Sequence, residues 1–234
     1  MGALDVATIK RDFPILAREI KGKRLVYLDS ASSSQKPQAV LDAMDECYRN
    51  YYANIHRGVY TIAEQATAAY EEARRKVARF VNARETAEVV FVRNATEAVN
   101  LVAYTWARAN LREGDAIVLS HMEHHANVVP WQMLAAERGV ELRWIPLTAG
   151  YRLDTSGLDR LLDGAKLLAI SAMSNVLGTI NDVAALTSAA HAGGAHVLVD
   201  ACQYVPHVAT DVRAWDADFV AFSAHKMCGP TGIG

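Results

Sequence analysis

From Glu88 to the end of the chain, short aliphatic and β-branched runs alternate with longer segments of helical periodicity, and this constrains the fold more than any other feature. Runs of that length read as buried strands, and strands separated by helices read as βα units on a mainly parallel sheet. The spacing predicts strands near 88–92, 116–119, 141–146, 167–171, 196–199 and 218–222. It predicts helices near 96–110, 127–138, 183–192 and, briefly, 155–162, with Gly114-Asp115, Gly139 and Gly193-Gly194 punctuating the returns. Ahead of this region, a short helix around Thr8–Arg11 ends at Pro14, and a loop follows through about Lys23. Leu25–Asp29 is strand-like, and Ser30–Ser34 is a turn of small polar residues. An amphipathic helix starts at Pro37 and carries Val40, Leu41, Met44 and Tyr48. A second runs from about Thr61 to Val81, with Tyr70, Val77 and Phe80 on its inner face.

Two predicted strands end on chemistry. Phe219-Val220-Ala221-Phe222 stops at Ser223-Ala224-His225-Lys226, and Val197-Leu198-Val199 stops at Asp200. Ligands of open α/β sheets sit at the carboxyl ends of strands, so both side chains would face a site. A lysine there can condense with a carbonyl cofactor, and an acid can keep the ring nitrogen of pyridoxal phosphate protonated. Taken singly, Lys226 is a solvated loop lysine and Asp200 a cap or turn acid; the pair points to the cofactor. Val89–Asn94 runs into Ala95-Thr96-Glu97 and a helix start, whose free N–H groups and positive dipole end attract anions. Thr96 there either caps the helix or offers its hydroxyl to a phosphate.

Other functions find little support. The formal net charge of −2, from 24 basic and 26 acidic residues, points to no nucleic-acid or membrane partner. The first residues show no signal-peptide pattern and no apolar run approaches about 18 residues, so a cytoplasmic location is the default expectation. Cys47, Cys202 and Cys228 lack metal-type spacing and are expected as reduced thiols. His124 and His125 are adjacent in sequence, so their side chains diverge, and no metal site is expected. No glycine-rich dinucleotide loop or Walker loop follows the first strand.

Asn94-Ala95-Thr96-Glu97, Met122-Glu123-His124-His125-Ala126-Asn127, Ser174-Asn175-Val176-Leu177-Gly178, Asp200-Ala201-Cys202-Gln203 and Ser223-Ala224-His225-Lys226 resemble the class V aminotransferase group. More closely, they resemble its SufS-type cysteine desulfurases, in the same order and over about Asp12 to Gly234. The resemblance implies a fold type I large domain of pyridoxal-phosphate enzymes, spanning 31–234 after an N-terminal segment 1–30. It implies cofactor contacts from Ala95, Thr96, His124, Asn175, Asp200, Gln203, Ser223, His225 and Lys226, with Lys226 and His124 catalytic. Asn175, His56 and Arg57 would meet the substrate, with Asn54–Gly58 forming a loop that reaches the site. The implied activity takes sulfur from L-cysteine, giving L-alanine and an enzyme persulfide for iron–sulfur cluster assembly through an acceptor protein. Selenocysteine lyase, another class V lyase or aminotransferase, and a non-catalytic cofactor-binding module are the alternatives.

Ala201 and Ala224 stand where the family often has glycine, and none of the three cysteines occupies its catalytic position. By resemblance, that cysteine, a carboxylate-gripping arginine and a small C-terminal domain lie beyond residue 234. A strand inserted between 218–222 and 88–92 lies there too, as do phosphate contacts lent across a homodimer. The expectation is therefore a truncated chain.

Overall fold

A computed structural model describes residues 4–234; Met1–Ala3 of the N-terminal segment lie outside the described residues. Helix α1 (Val6–Arg11), capped by the Asp5 carboxylate, leads through a 3-10 turn at Pro14–Ala17 into a small hairpin. The hairpin, β1 (Glu19–Ile20) and β2 (Lys23–Arg24), falls in the stretch expected to be loop. Helices α2 (Gln38–Glu46) and α3 (Thr61–Phe80) follow. Then come α4 (Ala95–Val102), continued by a π-type turn into α5 (Arg108–Asn110), and strand β3 (Ala116–Ser120). The remainder alternates: α6 (Val129–Arg138), β4 (Glu141–Ile145), α7 (Leu158–Leu162), β5 (Ala165–Ser171), α8 (Val183–Ala192), β6 (His196–Asp200), α9 (Val212–Trp215) and β7 (Phe219–Ala221).

Strands β3 to β7 form one parallel sheet in the order β4-β3-β5-β6-β7. The apolar runs have no polar phase because helices cover both faces. Val118, Leu168, Ile170, Val197 and Val199 pack on one side against α7, α8 and α9. Their neighbours Ile117, Leu119, Leu167, Ala169 and Leu198 pack on the other against α4 and α6. Helix ends follow their sequence signals. Asp182 and Asp211 accept N–H groups at the starts of α8 and α9, and Gly139 ends α6 in the left-handed conformation that glycine adopts without strain.

Register decides the site. Ser171 pairs with Asp200, and Asp200 with Ala221, so β5, β6 and β7 end level with one another.

Four expectations fail, each at a segment with few packing or backbone partners among the described residues. Residues 25–29 form no strand, and Leu28 is 92% exposed. Residues 88–92 begin as a 3-10 turn and do not join the sheet; only Val92 pairs, with Gly234 (2.9 and 2.8 Å). Without backbone neighbours to satisfy its ladder, a β-prone run stays irregular. Phe80 faces outward, 57% exposed, and the buried residues of α3 are Ala63, Ala66 and Ala78. On α2, Leu41, Met44 and the following Tyr48 are exposed rather than packed. Between β7 and residues 89–92 lies an apolar cleft of about 860 Å³ lined by Phe80, Val90, Phe91, Val220, Phe222 and Met227.

Candidate active site

A second cavity, about 530 Å³, opens at the level carboxyl ends of β5, β6 and β7. Asp200, Lys226, His124, Asn175, Gln203, Ala95, Thr96, Ser223 and His225 all line it. Nine positions spread over more than a hundred residues of sequence therefore converge.

Asp200 ends β6 and is 5% exposed. Its Oδ1 accepts the Cys202 N–H at 3.0 Å, and the Cys202 thiol lies against the same carboxylate. A buried carboxylate that borders a cavity can accept a further donor there. The cavity is where one would sit.

Lys226 lies on a 3-10 turn, Ala224–Lys226, directly after β7. Gly229 closes this turn by donating its N–H to the Ala224 carbonyl at 2.9 Å. A Cβ on Gly229 would stand 2.8 Å from the Ala224 Cβ, so the approach requires glycine.

At α4 the structure separates the two roles open to Thr96. Asn94 is the cap, its Oδ1 accepting the Glu97 N–H at 2.9 Å, and the Ala95 N–H donates to Ser223 Oγ at 2.8 Å. The Thr96 N–H between them has no acceptor among the described residues, and its hydroxyl is free of capping duty. The start of α4 thus presents an anion site beside Ser223 and His225.

His124 Nδ1 accepts the Ala126 N–H at 3.0 Å, which places the hydrogen of the neutral ring on Nε2. Burial, and then the positive charges of Lys226 and Lys36, hold the His225 imidazole below its usual range. Cys202 also lines the cavity, but burial and the Asp200 carboxylate push its thiol far up, so it is no thiolate at neutral pH.

Part of the wall was not foreseen. Asp29, Ala31 and Ser32 close one side of the cavity, forming a strap from the turn that precedes α2. Gln203 Nε2 donates to the Ala31 carbonyl at 2.7 Å. The His225 carbonyl accepts from Ser34 N (2.9 Å), Ser34 Oγ (3.0 Å) and Lys36 Nζ (3.0 Å). Only the polar run Ser30–Ser34 hinted at such a role. Ser171, at the end of β5, is a further unforeseen wall residue.

His56 and Arg57 do not line this cavity. His56 is held on α3, its N–H donating to Thr67 Oγ (2.9 Å) and its Nε2 2.8 Å from the Glu71 carboxylate. Arg57 is exposed.

Fold and site define a parallel α/β domain whose pocket combines an amine, a buried carboxylate and a helix start able to hold an anion. The family model for aminotransferase class-V matches residues 26–234, and the chain belongs to that family. A cysteine desulfurase of Enterobacter sp. (strain 638) is 52% identical over 230 residues, covering 98% of this chain. One from Escherichia coli (strain K12 / DH10B) matches equally well. Among solved structures, the apo cysteine desulfurase of Thermococcus onnurineus NA1 superposes with a TM-score of 0.91 at 39% identity, and an Escherichia coli cysteine desulfurase in its S-sulfonic acid form with 0.87 at 40%. Both are covered over 100% of this chain. The chain spans 57% of the length of each of these relatives.

No helix among the described residues is long and apolar enough to cross a membrane.

Proposed function

We propose that this chain binds pyridoxal 5'-phosphate and serves cysteine desulfuration, the activity named for its relatives. The observation that carries the reading is the buried Asp200 carboxylate lining the same pocket as the Lys226 amine. The donor set fits the cofactor. The Asp200 carboxylate would accept a ring N–H, and Lys226 would supply the amine for attachment. Thr96 through its hydroxyl and N–H, with Ser223, His225 and the start of α4 at Ala95, would hold the phosphate. Gln203 and Asn175 would offer amide donors to the ring oxygen, and His124 would serve as a further ring contact.

When bound, the cofactor supplies an electron sink for charge developing at the substrate α-carbon. The chain's own groups then do acid–base work. Lys226 takes and returns the α-proton, and the Nε2–H of His124 donates to bound substrate. Asn175 holds the substrate carboxylate. The strap limits water at the Lys226 end of the pocket. Sulfur would leave L-cysteine as L-alanine forms, passing to a thiol and then to an acceptor protein of iron–sulfur cluster assembly, in a homodimer located in the cytoplasm.

The receiving thiol is not Cys202, which is buried and protonated. Cys47 and Cys228 do not line the pocket. Cofactor and amino-acid binding are therefore expected of these residues, with little sulfide or alanine release.

Adding pyridoxal phosphate should produce an absorbance band near the visible edge, and borohydride followed by peptide mapping should label Lys226. A folded chain that gives no band, or a label on another lysine, refutes the reading.

A further inference from the structure

One ionisable group next to His124 in sequence has no part in that chemistry. Glu123, in the turn after β3, places its carboxylate among four donors. Oε1 accepts from the Ser120 hydroxyl and from the Ser171 N–H at 3.0 Å; Oε2 accepts from the Ser171 hydroxyl at 2.7 Å and from Asn127 Nδ2 at 2.8 Å. Asn127 is fixed in its turn by the indole N–H of the fully buried Trp131, at 3.0 Å. The carboxylate thus joins the last residue of β3, the last residue of β5 and the turn entering α6.

His124, His125 and Ala126 are the only residues between Glu123 and Asn127. Within this loop the Asn127 N–H donates to the His124 carbonyl at 2.8 Å, and the Ala126 N–H to His124 Nδ1 at 3.0 Å. The loop that fixes the imidazole is therefore closed at both ends by one carboxylate. Every partner of that carboxylate is uncharged. The ionisable groups on the pocket wall are Asp29 on the strap, His124 itself, Asp200 and Cys202 at the end of β6, and His225 and Lys226 after β7, and none of them bonds to it. Burial without a counter-charge raises its pKa to about 7, a cost that packing alone does not require.

We propose that Glu123 is a positioning residue: its four hydrogen bonds close the turn that holds His124 in the Nε2–H tautomer at the pocket. What His124 then does for substrate rests on the preceding reading; the positioning itself does not.

The test uses nitrogen-15 histidine NMR on the folded chain, together with absorbance titration by pyridoxal phosphate. In the unmodified protein His124 shows the Nε2–H tautomer alone. In Glu123→Gln an amide nitrogen must face the Asn127 amide or the Ser171 N–H, so the turn loosens. His124 then shows both tautomers, while the His191 and His196 signals stay in place. Because a charge-assisted hydrogen bond contributes on the order of 1.5–3 kcal/mol, cofactor affinity falls at least about tenfold. Ser171→Ala keeps the carboxylate, deletes one donor and gives a smaller change in the same direction; it decides the question if Glu123→Gln does not fold. Unchanged His124 signals in the folded variants overturn the proposal, even if thermal stability falls. If pyridoxal phosphate fails to bind the unmodified chain, the tautomer measurement still decides positioning, and only the functional reading is lost.

Discussion

Burying Glu123 among neutral donors has a consequence for stability that can be worked from the structure. Its carboxyl titrates at about 7 in the fold against an ordinary value of 4.5, with burial the largest cause and the hydrogen bonds from Ser120, Ser171 and Asn127 opposing it. Between those pH values the folded chain holds a proton that the unfolded chain has released. Raising the pH therefore favours the unfolded chain: the stabilisation is complete below about 4.5 and is lost as pH passes 7. At about 1.4 kcal/mol per pH unit the full difference is about 3 kcal/mol, of which roughly 2.5 falls between about pH 5 and pH 8. Glu123→Gln removes this dependence and no other, since His225, Cys202 and Lys36 remain in both proteins. Urea unfolding followed by tryptophan fluorescence, with Trp131 fully buried as reporter, measures both chains across that range. The stability of the unmodified chain relative to the variant should fall by about 2.5 kcal/mol from about pH 5 to pH 8. Parallel pH profiles would show that the four donors keep the carboxylate ionised at its ordinary value, and the linkage argument would be wrong.

Replacing Asn94 by alanine removes the cap of α4 and should cost about 1 kcal/mol in thermal or urea unfolding. Gly229→Ala forces a Cβ against the Ala224 side chain and carbonyl, and should destabilise by roughly 1–3 kcal/mol and weaken borohydride labelling of Lys226. Cys202 should react with iodoacetamide much more slowly than Cys47 or Cys228, because burial keeps its thiol protonated; mass spectrometry of the native chain would show equal rates if that environment is wrong. The apolar cleft beside β7 should bind an environment-sensitive dye and drive self-association that grows with concentration, and a monomer that leaves the dye dark would contradict its exposure.

What could be read from sequence follows from where the interactions are made. Strands β3, β5 and β6 are covered on both faces, so the interiors of their runs are apolar, polar residues falling at or next to the ends, and they stand out against the helices. The run at 88–92 has the same composition, yet Val90 is 62% exposed and the run joins no sheet. Composition reports what a segment can do, whereas a strand also needs a neighbour. The same holds for 25–29 and for the apolar face of α2. At the site, strand ends made Asp200 and Lys226 visible, and the motifs carried the rest of the pocket's donors. The strap stayed hidden because Gln203 recognises the backbone carbonyl of Ala31, a contact across 172 residues that no side chain at position 31 encodes. Glu123 lay inside a quoted motif, but the adjacent histidines carried the recognisable chemistry, while its own role depends on Ser171 from another strand.

The strap also ties two distant parts of the chain together. The His225 carbonyl accepts from Ser34 and Lys36, and the Ser34 hydroxyl in turn accepts the Cys228 N–H at 2.7 Å. The turn bearing Lys226 is thus held from outside by a segment almost two hundred residues away in sequence. Lys36 gives up hydration to reach this carbonyl, and its ammonium is held below the usual lysine range by that desolvation. Such a cost is offset only when strap and turn are both in place, since each alone leaves polar groups without partners. Pocket closure at Lys226 thus depends on contacts that span almost two hundred residues, while the Asp200 end is set by paired strands in the sheet core.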